Sequence, residues 1–207
     1  MAKKESPGND TKNKLLTSAR ECFARRGFSV TTVEDIVEGA GFARGTFYIY
    51  FSNKEDIFKH IYEIMQKELF EQASAPLEGD IYQKTASANR GFLEKYREFK
   101  DVHKVLAEVC NQDSHFLNEV KRLRSRFIKR MTRNIVKGVE EGIYRRIDNP
   151  LVYAYALGGM VDHLANMWFV MEESAGEKTF DMDEVVKSLT DIWYHALVPD
   201  STDSPVK

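Results

Sequence analysis

The sequence predicts an all-α fold, and three observations carry that prediction. Apolar residues recur at the 3.6-residue helical period in nearly every segment, no stretch keeps up strand-like alternation, and glycines, prolines and polar joints separate the periodic runs. At 207 residues the chain can bury a core of its own, and with 43% hydrophobic and 30% charged residues it reads as globular. The first ten residues carry charge but no apolar run, so a secretory signal is not expected. Cys22 and Cys110 sit within apolar helical patterns and are expected to be small core residues in a reducing, cytoplasmic setting. The net charge of −2 gives no global argument for nucleic acid, so any such argument must be local.

Each helix can be justified in turn. Thr11 is expected to cap a first helix striped by Leu15, Leu16, Ala19, Cys22 and Phe23, which ends at Gly27 behind Arg25 and Arg26. Thr32 caps a short second helix with Glu34 and Asp35 in its first turn. Its buried face is Val33, Ile36, Val37 and Ala40, and Gly41 ends it. A third short helix fits residues 44–51, and Ser52 or Asn53 caps a long fourth one carrying Ile57, Ile61, Met65 and Leu69. After a break at Pro76 and Gly79, helices are expected near 80–99, 101–111, 114–141, 150–172 and 182–197, about nine in total. Residues 1–10 and 199–207 read as disordered tails.

Helix, glycine turn and helix within residues 33–51 make a helix-turn-helix, whose second helix enters the DNA major groove. Phe47 and Phe51 lie one turn apart and can face inward, while Arg44 and Tyr48 share another face. Arg44 can pair with guanine O6 and N7, Thr46 offers a hydroxyl and a methyl to base edges, and Gly45 lets backbone approach phosphate. Tyr48 and Tyr50 can place phenols on phosphate oxygens, Lys54 adds a charge, and Thr31 and Thr32 lie at a helix N-terminus that suits a phosphate. Rings that merely glue a helical bundle would account for Phe47 and Phe51, but not for Arg44, Tyr48 and Lys54. Glu34 and Asp35 are unusual so close to a DNA-facing surface. They are expected to point away from phosphate or to act only as helix N-terminal charges.

The run TTVEDIVEGAGFARGTFYIYFSNKEDIF, following KLLTSARECFARRGF, resembles the N-terminal domain of the tetracycline-repressor (TetR) family of bacterial transcriptional regulators. The resemblance rests on Phe23, Gly27-Phe28, Thr31-Thr32, Ile36, Gly41, Gly45, Tyr48-Ile49-Tyr50-Phe51 and Lys54-Glu55, and covers about a quarter of the chain. It implies a homodimer of all-helical subunits that binds a palindromic operator in double-stranded DNA and leaves it when a small molecule enters the C-terminal domain. The DNA-binding unit is placed at residues 11–53 and the effector-binding and dimerisation domain at 54–198.

The rest of the chain must be read from its residues. Leu151 to Met171 is the most apolar segment, but Asp162, His163 and Asn166 in its middle argue against a membrane span. A dimer interface is expected from this helix and the last one, through Ala154, Gly158, Val161, Leu189 and Trp193, since Ala154 and Gly158 permit close helix approach; the alternative is that this stripe is a purely intramolecular core. Residues 121–133 are rich in Lys and Arg, but Leu123, Phe127 and Met131 thread them at helical spacing, which makes an amphipathic helix with a solvated basic face. Tyr96, His103, Phe116, Phe127, His163, Asn166, Met167 and Trp168 are the candidate walls of an effector pocket, suited to a small, largely apolar molecule. No metal or other cofactor is expected, since the histidines show no ligand spacing, and no catalytic motif appears. A C-terminal domain that only dimerises or binds a protein partner is the alternative.

Overall fold

The computed structural model describes residues 7–72, 78–172 and 180–199; the sequence readings on residues 1–6, on the break at Pro76 and on residues 200–207 lie outside these. Among the described residues are nine α-helices: α1 (Pro7–Arg26), α2 (Val33–Ala40), α3 (Arg44–Tyr50), α4 (Lys54–Gln72), α5 (Ile81–Glu98), α6 (Lys100–Gln112), α7 (Ser114–Glu140), α8 (Pro150–Asn166) and α9 (Met182–Leu197). A π-helical turn, Met167–Glu172, continues α8. None of these helices is long and apolar enough to cross a membrane.

Helix ends follow local chemistry. α1 starts at Pro7, four residues before Thr11, so residues 7–10 are helical rather than tail. A proline lacks the N–H that a first turn leaves unsatisfied. Thr32 caps α2, and Gly41 closes it at φ 73°, a left-handed conformation that glycine adopts without steric cost. Asn53 accepts from the Asp56 N–H at 2.8 Å, while Asp56 in return accepts from the Ser52 N–H and hydroxyl, which settles how α4 begins.

The chain forms two units. The first contains everything up to Lys67 together with Phe99–Glu119; the second contains Glu68–Glu98 and the chain from Val120. This differs from a division at residue 53: α6 and the start of α7 belong with α1–α3 and most of α4. Two ties explain the grouping. Arg20 on α1 makes a bidentate pair with Asp101 on α6, at 2.6 and 2.7 Å, and Glu108 on α6 binds the turn after α1. The core of this unit is aromatic. Phe23, Phe28 and Phe58 meet with centroids 5.1–5.7 Å apart, and Phe116 packs on both Phe58 and Tyr62 at 5.6 Å.

In the second unit α9 packs mainly on α5, and Leu93, Tyr96, Val161, Ala165, Trp168, Phe169, Val170, Val185, Val186 and Leu189 form one core cluster. A second cluster gathers Ile135, Ile147, Ala154, Leu157 and Leu197. The residues expected at the dimer interface pack within a single chain. Ala154, Val161 and Leu189 are 0%, 6% and 3% exposed within a single chain, and Trp193 packs against both clusters. Gly158 turns toward α7, where an added Cβ would lie 3.1 Å from Met131. Their stripe is the intramolecular face of α8 and α9. The apolar side chains left in solvent are Leu151, Val152 and Tyr155 on α8 and Ile192 on α9, about a quarter-turn away.

Candidate nucleic-acid interface

α1 and α2 pack through small groups. Buried Ser18 donates to the Ile36 carbonyl at 2.7 Å, and a Cβ on Gly39 would come within 2.5 Å of the Ser18 hydroxyl oxygen. Phe47, fully buried, and Phe51 hold α3 from beneath. That leaves Arg44, Gly45, Tyr48 and Ile49 in solvent on the outer face of α3. Tyr48 is 48% exposed and Ile49 76%. A Cβ built on Gly45 meets nothing within 4 Å, and the residue is not among the positive-φ glycines, so no packing or backbone demand within the chain calls for a glycine there.

Arg44 donates from Nη2 to the Tyr48 hydroxyl at 3.2 Å and lies over the Tyr48 ring, while its Nη1 pairs with Glu34 of α2 at 2.5 Å. The Tyr48 hydrogen bond, followed by the Glu34 charge, raises the guanidinium pKa further. Thr46 is half-buried in the first turn of α3, its N–H donating to the Ala43 carbonyl at 2.9 Å. Tyr50 is also half-buried, and a Cβ on Gly8 of α1 would lie 3.6 Å from its hydroxyl.

Three expected phosphate contacts are engaged elsewhere. Thr31 is 1% exposed and donates its hydroxyl to the Gly27 carbonyl at 2.7 Å, so it serves the turn. Thr32 gives its N–H and hydroxyl to Asp35, at 2.9 and 2.8 Å, and accepts the Asp35 N–H at 3.2 Å. This reciprocal cap sets an internal carboxylate where a phosphate was expected. The Thr32 groups, then Arg26, hold the Asp35 carboxyl below its usual range, so Asp35 does act as a helix N-terminal charge. Lys54 donates to the carbonyls of Phe28, Ser29 and Thr31 at 2.9, 3.0 and 3.3 Å and lies 4.7 Å from the Phe28 ring centroid. Its three N–H donors meet converging carbonyls of the turn rather than open solvent. Ile49 was missed by the sequence reading, although its place one turn after Gly45 was visible there.

The eight effector candidates fall into both units. In the first, His103 is buried on α6 and Phe116 lies in the aromatic core. In the second, Asn166 donates to the Tyr96 hydroxyl at 3.2 Å, and burial, with a contribution from Asp162, pushes the Tyr96 phenol up to about 12. Trp168 shares the core cluster of Tyr96, stacked on Phe169 with centroids 4.4 Å apart, while Asn166 is half-buried beside it. Phe127 is half-buried, and His163 and Met167 are exposed.

Comparison with known proteins gives the same picture. A family profile described as "Bacterial regulatory proteins, tetR family" matches residues 15–61. The uncharacterised HTH-type transcriptional regulator YfiR of Bacillus subtilis is 31% identical over 141 residues, covering 64% of this chain and 67% of YfiR. The HTH-type transcriptional repressor KstR2 of Mycobacterium tuberculosis is 27% identical over 157 residues, covering 71% of this chain and 76% of KstR2. The fold is shared with the fatty acid degradation regulator FadR of Bacillus halodurans, at a TM-score of 0.73 and 18% identity over 92% of this chain and 96% of that one.

The turn between α1 and α2 yields a prediction. The Ser29 hydroxyl, and then the Phe28 and Ser29 N–H groups and Lys54, hold the Glu108 carboxyl below the ordinary value of 4.5. A carboxyl with a lowered folded pKa contributes stability above its unfolded pKa and loses it as pH falls through the folded one. Urea unfolding of Glu108→Gln is therefore expected to show a shallower loss of stability than wild type below about pH 4.5. Parallel pH profiles for the two proteins would refute the clamp.

Proposed function

The chain belongs to the tetR family of bacterial regulatory proteins and is a DNA-binding transcriptional regulator, and from that premise we propose that it is a repressor. It binds a palindromic operator as a homodimer and is released by a small, largely apolar effector. The observation that carries the DNA reading is the outer face of α3. A cation, a glycine with no internal reason to be one, a phenol and a bare aliphatic side chain share it, and no core residue covers it. Arg44 is the base reader, Tyr48 and Tyr50 supply phenols for phosphate, Thr46 and Ile49 meet base edges, and Lys54 and Thr31 act by fixing the turn that carries α2. The name of KstR2 supports repression.

Arg44→Ala is expected to cost about 1–3 kcal/mol on the cognate operator and to flatten base preference at one position of each half-site. Titration against all four bases at each operator position measures this. Unchanged preference would remove Arg44 from base readout.

The dimer is assigned to the exposed apolar face of α8 and α9, because two half-sites need two copies and Leu151, Val152, Tyr155 and Ile192 are the apolar side chains these helices leave uncovered. Tyr155→Asp should give helical monomers with weak operator affinity, whereas Leu189→Asp, set in the core, should unfold the second unit. A Tyr155→Asp dimer in sedimentation would refute the placement.

For the effector, the support is the aromatic cluster of Tyr96, Trp168 and Phe169, to which the half-buried Asn166 is joined by its hydrogen bond to the Tyr96 hydroxyl. α4 continues without a break from the first unit into the second, which makes it the natural route for coupling, of a size that is typically about 1–3 kcal/mol. Trp168→Ala is expected to blunt release by the effector while operator affinity stays nearly unchanged, measured by operator titration with and without the effector. Normal release, or lost operator binding without effector, would overturn the pocket. It would then favour a C-terminal domain that only dimerises or binds a protein.

A further inference from the structure

Glu34 has no part in capping α2. Thr32 and Asp35 complete that cap between themselves, and Asp35 also takes Arg26. Glu34 is exposed and reaches instead across to α3, where its Oε1 lies 2.5 Å from Nη1 of Arg44. Both side chains are more than half exposed, at 56% and 63%, and an ion pair so placed adds little to stability. An acid beside a DNA-facing surface also repels phosphate. Neither folding nor simple affinity accounts for it.

We infer that Glu34 is a specificity-determining residue, whose carboxylate neutralises the charge of Arg44 while leaving one edge of its guanidinium for the acceptors of a guanine. The inference rests on the DNA-binding reading above. Non-specific binding is driven by cations that replace the counterions of phosphates. Paired with Glu34, Arg44 brings no net charge to that exchange, so an arbitrary duplex gains little from it. A guanine in register is different, because O6 and N7 present two acceptors to one edge of the guanidinium. The arginine has five N–H donors in a rigid fork, so it can offer that edge while another N–H keeps the carboxylate. Tyr48 holds the guanidinium from its remaining side, by hydrogen bond and ring face, and limits where it can swing. Glu34 thus lowers affinity for wrong sequences more than for the right one, which widens the ratio between them.

The test uses duplexes that the wild-type protein selects from a random-sequence pool, with a scrambled duplex of equal composition as the competitor, across a salt series. Glu34→Gln keeps the shape and removes the charge. It is expected to tighten binding to the scrambled duplex by about three- to tenfold and to the selected duplex by less. The slope of log K against log salt should steepen by about one unit per bound subunit. Glu34→Ala should move both quantities in the same direction. In an Arg44→Gln background, Glu34→Gln should leave base preference unaltered. An unchanged ratio between the two duplexes refutes the inference, as does weaker binding to the selected duplex alone, which would make Glu34 a support for Arg44. A wild-type protein that enriches no sequence at all would refute the DNA reading itself and this inference with it.

Discussion

The turn from Gly27 to Thr31 is the constraint on which the DNA-facing surface depends. Five residues leave α1, reverse direction through a glycine at φ 86° and deliver the chain to the start of α2. Such a turn cannot satisfy its own backbone, and unpaired amides and carbonyls at a partly buried site are costly. Both halves are satisfied from elsewhere in the first unit. Glu108 accepts the N–H groups of Phe28 and Ser29, and Lys54 donates to three carbonyls. A negative group takes the donors and a positive group the acceptors, so α6 and the first turn of α4 are both tied to one point. α2 starts one residue beyond that point, and α3 is tied to α2 through Gly41. The position of Arg44 is thereby set by a carboxylate that lies sixty-four positions away in sequence.

Local signals were legible because their causes are local. Thr32 as a cap and Asn53 before α4 follow from side-chain reach of two or three residues, Gly41 as a stop follows from its freedom to take a positive φ, and the apolar stripes of α1, α2 and α4 follow from periodicity. The contacts that the sequence does not reveal are those made to distant partners. Lys54 looks like a phosphate contact beside Tyr50, and nothing near it in sequence reveals that carbonyls of residues 28–31 converge on its ammonium. Thr31 and Thr32 look alike as hydroxyls at a helix start, yet one faces the core and the other the cap. Glu108 shows no signal at all in sequence, since its partners lie about eighty residues earlier.

The stripe expected at the dimer interface has a second role within one chain. Small residues at Ala154 and Gly158 do permit close helix approach, as expected, but the approaching elements belong to the same chain. On a helix that is apolar on most sides, periodicity cannot decide which stripe meets its own core and which meets a second copy. Leu151, Val152 and Tyr155 were equally visible in the sequence. Only burial separates the two stripes, since residues one apart on a helix point about 100° apart.

The π-helical turn poses the same question for the second unit. Trp168, Phe169 and Val170 are all buried, although three consecutive positions of an ordinary α-helix sweep about 200° and would carry one of them outward. Opening the turn to the wider π register lets all three side chains reach the core in which Tyr96 sits. The cost is a poorer backbone hydrogen-bond pattern, offset by the burial of three large apolar side chains. Held in that register, Trp168 and Phe169 stack with centroids 4.4 Å apart, and the Phe169 centroid lies 6.4 Å from that of Tyr96. The backbone register of residues 167–172 is therefore set by the tertiary packing of three side chains, a demand that no helical period in the sequence records.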